Sequence, residues 1–199
     1  MPDRIEVAAS GRARCRACRR SIAKGEERFA EAVPNPVAAG ESQQYYHLPC
    51  AAERRPKPFA AFLASLDPPR NDLEGLATSA ALGVEHARLE RLGLLERSKS
   101  ARANCRQCHE PIEKGAWRVA LQPIEEGRVA AWGFVHLACA GAYTGIKPSL
   151  KRLTRYTELL SPEEAAVIAS TLEAMPTPAP IIEEAEPAGP SESTSATEA

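Results

Sequence analysis

Cys15-x2-Cys18 and His47-x2-Cys50, separated by a 28-residue gap, offer three sulfurs and one imidazole. Cys105-x2-Cys108 and His136-x2-Cys139 offer the same set across a 27-residue gap. Together they consume all 6 cysteines of the chain. Three thiolates and a neutral imidazole match the ligand number and softness of a closed structural zinc site. Each CxxC supplies half a tetrahedron from one tight knuckle, and the HxxC pair arrives from across a folded loop. The expected cofactor is Zn2+, two ions per chain. A closed shell has no open position for water, so catalytic zinc is not expected and the chain reads as a non-enzyme. The sequence also lacks a deaminase H-x-E with its PC-x2-C partner and a phosphate-cradling glycine loop. No small-molecule substrate is implied.

Cysteines at such spacing also serve two other chemistries. Disulfides would suit a secreted chain. Yet Met1 to Ala9 carries charges and no apolar run fit for export, and no stretch has the length of a membrane span. An intracellular, reduced protein without a membrane partner is the expectation. Cys105-x2-Cys108-His109 also has the form of a haem attachment site, but Arg19 stands in place of that histidine in the first copy.

The elements that must hold these ligands repeat as well. A shift of 90 residues places Ser10, Arg12, Ala13 and Arg16 on Ser100, Arg102, Ala103 and Arg106. Ile22, Lys24, Gly25, Arg28 and Ala30 fall on Ile112, Lys114, Gly115, Arg118 and Ala120. Such self-similarity marks two copies of one module. Aromatics make up only 5% of the 199 residues, so each copy has a small core and needs a staple. Strands are expected at Glu27 to Val33, Gln44 to His47, Trp117 to Leu121 and Trp132 to Val135. Helices are expected at Leu48 to Ala52, Phe59 to Leu66, Leu137 to Ala142 and Leu150 to Leu160. Trp132 and Tyr45 are expected to pack the small cores. Leucines at 73, 76, 82, 89, 92 and 95 suggest helix from Asn71 to Glu96, broken at its glycines. Ser161-Pro162 reads as an N-cap followed by a first-turn proline, opening a helix that runs to Met175.

The fold class is therefore α+β: two small zinc-stapled modules, each a short antiparallel sheet with a metal knuckle plus flanking helices, then a disordered tail. The expected organisation is a first finger over 4–70, a helical linker over 71–97 packing on it, a second finger with C-terminal helices over 98–175, and an acidic tail over 176–199 with too little apolar surface to fold.

The net charge of −1 conceals an asymmetry. Met1 to Leu160 holds 25 Lys plus Arg against 18 Asp plus Glu, whereas Ser161 onward holds eight acids and no base. The tail is thus a candidate competitor for the basic face. Arg12, Arg14, Arg16, Arg19, Arg20 and Lys24 crowd the first knuckle, and planar guanidiniums suit phosphate.

With those residues in view, Ser10-Gly11-Arg12-Ala13-Arg14-Cys15 through Tyr46-His47-x2-Cys50 resembles the poly(ADP-ribose) polymerase-type zinc finger. The second copy, from Ser100 through His136-x2-Cys139, is similar. The resemblance covers roughly 4–66 and 96–160 and leaves no room for a polymerase catalytic domain. It implies recognition of broken, nicked or gapped duplex DNA by structure rather than sequence. It also implies backbone contacts at Arg12 and Arg102, three residues before each first cysteine. Arg14, Arg16, Lys24, Arg28, Arg106, Lys114 and Arg118 would extend that DNA-binding surface. The family's base-stacking position falls in the loop between ligand pairs, where this chain offers only Val37 and Ile124. The implied location is intracellular and DNA-associated, in a nucleoid or nucleus. The alternative is a zinc-stabilised adaptor for a protein partner, with the basic face incidental.

Overall fold

The computed structural model of the chain describes residues 2–35, 39–125, 127–157 and 160–176. The first module opens with β1 (Arg4–Val7), β2 (Glu27–Pro34) and β3 (Glu41–His47). They form one antiparallel sheet in the order β1-β2-β3. Next come α1 (Leu48–Arg54) and α2 (Pro56–Ala64), each with proline in its first turn, where no helical N–H is needed. A 3-10 turn leads into α3 (Glu74–Glu85). α3 lies close on α2, since a Cβ at Gly83 would come within 2.8 Å of the Pro56 side chain.

The second module repeats this plan. β4 (Leu92–Arg97), β5 (Trp117–Leu121) and β8 (Phe134–His136) form a second antiparallel sheet, β4-β5-β8. Between β5 and β8 lies a small hairpin, β6 (Ile124–Glu125) and β7 (Arg128–Val129). After a 3-10 turn come α4 (Ala140–Thr144), α5 (Leu150–Arg155) and α6 (Pro162–Glu173). α6 opens with the expected N-cap, extended to a capping box. Ser161 Oγ accepts from the Glu164 N–H, and Glu164 Oε2 accepts from the Ser161 N–H, both at 3.2 Å. Two small zinc-stapled α+β modules are what the chain builds.

Residues 71–96, expected to be helical, divide differently. Helical structure ends at Arg91, and Leu92–Arg97 is a strand of the second sheet. Strand pairing prevails over leucine spacing here because Glu96 and Arg97 register with Arg118 and Trp117. Trp132, expected in a core, is 39% exposed, with the Arg91 guanidinium 4.4 Å over its ring. Tyr45 does pack against the first core. The tail beyond 176 and Val37 lie outside the described residues.

The first core gathers Ile22, Phe29, Tyr46, Leu48 and Phe59 around Cys15 and Cys50. The second gathers Ile112, Val119, Leu121, Val135 and Leu153 around Cys105. These cores are not separate. Ile124, on the hairpin of the second module, is buried within the first core, with Val129 and Tyr156 packed alongside. The turn between β6 and β7 needs Gly127, which has φ +71 and sits where any Cβ would collide with the Gln44 amide.

Polar groups complete the junction. Arg54 donates to the carbonyls of Leu92, at 2.6 Å, and Gln122. Arg55 pairs with buried Glu31 and also reaches the Ile124 carbonyl at 3.1 Å. From the other side, Arg152 donates to the Glu53 carbonyl at 2.6 Å, and Tyr156 OH donates to the Glu53 carboxylate at 3.0 Å.

Candidate metal centres and the surrounding basic surface

Each knuckle is a tight backbone loop. The Cys15 N–H donates to the Arg20 carbonyl at 2.9 Å, and the Arg19 N–H returns to the Cys15 carbonyl at 2.8 Å. Cys105, Glu110 and His109 repeat both bonds at 2.9 Å. Closing the loop forces Arg19 and His109 into the left-handed region, at φ 61 and 65. His109 is thereby a turn residue and not part of the metal cluster.

The strands and helices bring the remaining ligands across. His47 ends β3 and Cys50 lies in the first turn of α1. His136 ends β8 and Cys139 closes the following 3-10 turn. In each set the four ligand atoms lie within 4.8 Å of one another. Cys18 Sγ is 3.3 Å and Cys50 Sγ 3.9 Å from His47 Nδ1. Cys108 and Cys139 stand at 3.4 and 3.9 Å from His136 Nδ1. A zinc–sulfur bond of about 2.3 Å implies tetrahedral edges of roughly 3.8 Å, so the spacing suits one such ion. Each cluster can therefore coordinate one Zn2+, two per chain.

The histidine tautomer follows from its other nitrogen. His47 Nε2 is 3.3 Å from the Ser21 carbonyl and His136 Nε2 is 3.2 Å from the Pro111 carbonyl. A carbonyl only accepts, so Nε2 carries the proton and Nδ1 keeps its lone pair for the metal. Ser21 and Pro111 occupy matching places just after the two CxxC pairs, and only the repeat alignment could have suggested them.

The thiols themselves call for a cation. Hydrogen bonds from Cys18 and Cys50 hold the Cys15 thiol down to about 3. Sharing with Cys15 and Cys18, together with burial, pushes Cys50 far above the usual thiol range. In the second cluster burial opposes ionisation of Cys105, but backbone N–H groups of Cys108, His136 and Gln107 bring it to about 7. Burial and the Cys105 charge push Cys139 up to about 12. One thiol in each set ionises readily and another resists, so three thiolates together need a dication. All six thiols are free. The second site is the shallower one, with Cys108 exposed where Cys18 is half-buried.

The expected basic residues separate into three groups. Arg12, Arg14, Lys24, Arg102, Arg106 and Lys114 are exposed. Arg16 is also exposed, but its Nε donates to the Gly127 carbonyl of the second module at 2.6 Å. Arg28 and Arg118 are occupied internally. Arg28 pairs with Glu6 at 2.5 Å and lies 3.7 Å over the Tyr45 ring. Arg118 pairs with Glu96 at 2.5 Å and lies 3.6 Å over Phe134. Both guanidiniums clamp the first strand of a sheet to the last, so an acid and a ring compete with phosphate for each. Ile124, expected in a base-stacking loop, is buried in the neighbouring core. None of this was legible from spacing, because the acid and aromatic partners lie on other strands.

Residues 6–77 match the family described as the poly(ADP-ribose) polymerase and DNA-ligase zinc-finger region. The second cluster repeats that ligand pattern, as in tandem zinc fingers. The chain is 26% identical over 151 residues to poly [ADP-ribose] polymerase 1 of Oryza sativa subsp. japonica, covering 68% of this chain. It is 30% identical over 147 residues to the Gallus gallus polymerase of the same name, covering 62% of this chain. The Danio rerio polymerase is 30% identical over 138 residues, covering 61%. The chain spans only 13–14% of the length of these relatives. No helix among the described residues is long and apolar enough to cross a membrane.

Proposed function

We propose that this chain is a zinc-dependent DNA-binding protein that recognises broken, nicked or gapped duplex through two tandem fingers, without reading sequence. The supporting observation is the pairing of Arg12 with Arg102. Both precede a knuckle by three residues, both are exposed, and neither has an acidic partner among the described residues. Paired guanidiniums at equivalent places on two docked modules suit phosphates along one backbone. Arg14, Arg16, Arg106, Lys24 and Lys114 extend the surface. Zinc holds the knuckles folded, and the closed ligand set supports a binding role rather than catalysis. On this reading the protein works inside the cell, on the nucleic acid.

With Ile124 buried, preference for breaks has to come from backbone geometry and from the bend that a nick or gap permits. Because the modules are docked, they present their arginines in one fixed arrangement and lose little freedom on binding. The test is a titration of zinc-loaded protein against intact, nicked and gapped duplexes over a range of salt. Tighter binding to the interrupted duplexes with a steep salt slope is expected. Equal, salt-insensitive or absent binding would reject the proposal and leave a protein adaptor as the reading to pursue.

A further inference from the structure

Where the modules meet, four guanidiniums line one cavity of about 430 Å³. Arg14, Arg16 and Arg19 come from the first knuckle and Arg128 from β7 of the second module, with Cys15 and Val129 completing the wall. The guanidiniums of Arg14, Arg19 and Arg128 are exposed and have no hydrogen bond or ion pair among the described residues. Arg16 is tethered through Nε to the Gly127 carbonyl, and its terminal nitrogens have no partner among those residues. Glu125 lies across the hairpin from Arg128, yet no ion pair joins them. Four like charges around one opening repel each other unless an anion enters.

The backbone on both sides of the cavity is anchored. The Arg19 main chain is set in the left-handed region, with its N–H bonded to the Cys15 carbonyl, directly on the metal knuckle. Arg128 rides on a hairpin whose Ile124 is buried in the first core with Val129 against it. The second knuckle cannot build a copy. Asn104 and His109 replace Arg14 and Arg19 there, and Arg106 instead faces Gly133 of its own module.

We propose that this seam is a composite phosphate site, formed only because the modules dock, with Arg19 and Arg128 as its opposing jaws. The chemistry recognised is phosphate. That its source is a DNA backbone rests on the function proposed above. Planar guanidiniums from two sides can each grip two oxygens, and the anchored backbones leave only the side chains to be ordered.

The experiment compares the zinc-loaded full chain with the double variant Arg19→Ala/Arg128→Ala. Lys57→Ala/Lys151→Ala serves as a charge-matched control, since neither lysine lines the cavity. Two probes are used, inorganic tripolyphosphate by calorimetry and nicked duplex at matched salt. Zinc content and the thermal transition should match the parent in both variants, because the substituted residues are exposed. The arginine variant should lose at least about tenfold in affinity for both probes, with the duplex salt slope falling by about two units. The lysine variant should stay close to the parent. An arginine variant that binds both probes as the parent does overturns the seam site while leaving DNA binding standing. If the parent binds tripolyphosphate through Arg19 and Arg128 but binds no duplex, the seam site stands and the DNA reading falls. Failure of the parent to bind either probe overturns both.

Discussion

The Arg155 guanidinium of the second module bonds the Glu53 carboxylate of the first, Nε to Oε2 at 2.8 Å, with Glu53 only 5% exposed. Tyr156 donates to the same carboxylate oxygen, and Arg152 caps the Glu53 main-chain carbonyl. One buried acid residue thus joins two modules through three side chains, and loss of its carboxylate would leave Arg155 and Tyr156 without their partner. Desolvation works against the charged forms of both Arg54 and Arg152.

Glu53→Ala should therefore destabilise the zinc-loaded protein by about 1–3 kcal/mol, the usual effect of leaving buried polar groups without a partner when one of them, Arg155, keeps some access to water. Urea unfolding measures it. A loss below about 1 kcal/mol would mean that the junction contributes little to stability.

Ile124→Ala should lower stability by about 2–5 kcal/mol, as expected for a buried aliphatic side chain cut back in a core. Nicked-duplex affinity should fall as well, because the Ile124 anchor positions the hairpin that carries Arg128. A destabilised variant that binds nicked duplex as the parent does would mean that this anchor does not position Arg128 for DNA.

Metal removal should proceed in two phases. Because Cys108 is exposed, a chelator should strip the second site first, while the deeper first site follows slowly. Metal analysis should find two zinc ions per chain, and Cys139→Ser should abolish the fast phase alone. Since metal binding is folding free energy in such small units, the thermal transition should fall at each step. A single-phase release would contradict the difference in depth.

Arg12→Ala should weaken duplex binding about tenfold and reduce the salt slope by about one unit, with zinc retained. Arg102→Ala should act in the same direction but less, because fewer arginines surround its knuckle. If the double variant binds nicked duplex as the parent does, these arginines have no role in DNA binding.

Arg28 and Arg118 should behave in the opposite way. Their replacement by alanine should reduce stability and leave the salt slope of DNA binding unchanged. For the first pair a pH signature follows. Burial opposes ionisation of Glu6, yet bonds from Arg28 and Arg4 hold its carboxyl below the usual range. Its stabilising contribution is therefore full above the ordinary value of about 4.3 and disappears as pH falls through the lowered one. Comparing the acid dependence of stability in the parent and in Glu6→Gln checks this: a variant curve that parallels the parent's would remove the pair from consideration.

The ligand sets, the twofold repeat, the Ser161 cap and most strands were written in the sequence, because each depends on neighbours within a few residues or on residue chemistry alone. Cys15 and Cys18 share a knuckle whatever surrounds them, and a serine before proline caps a helix locally. The two outer strands were less legible. β1 is only 4 residues long, and β4 carries leucines spaced for a helix. Tertiary structure alone decided which arginines are free and which are spent. Arg118 and Glu96 are 22 residues apart, and Arg155 and Glu53 are 102 apart. The docking of Ile124 into the other module, and with it the cavity between Arg19 and Arg128, depends on two surfaces fitting together. Burial and charge pairing are properties of that fit, and no local pattern of residues encodes them.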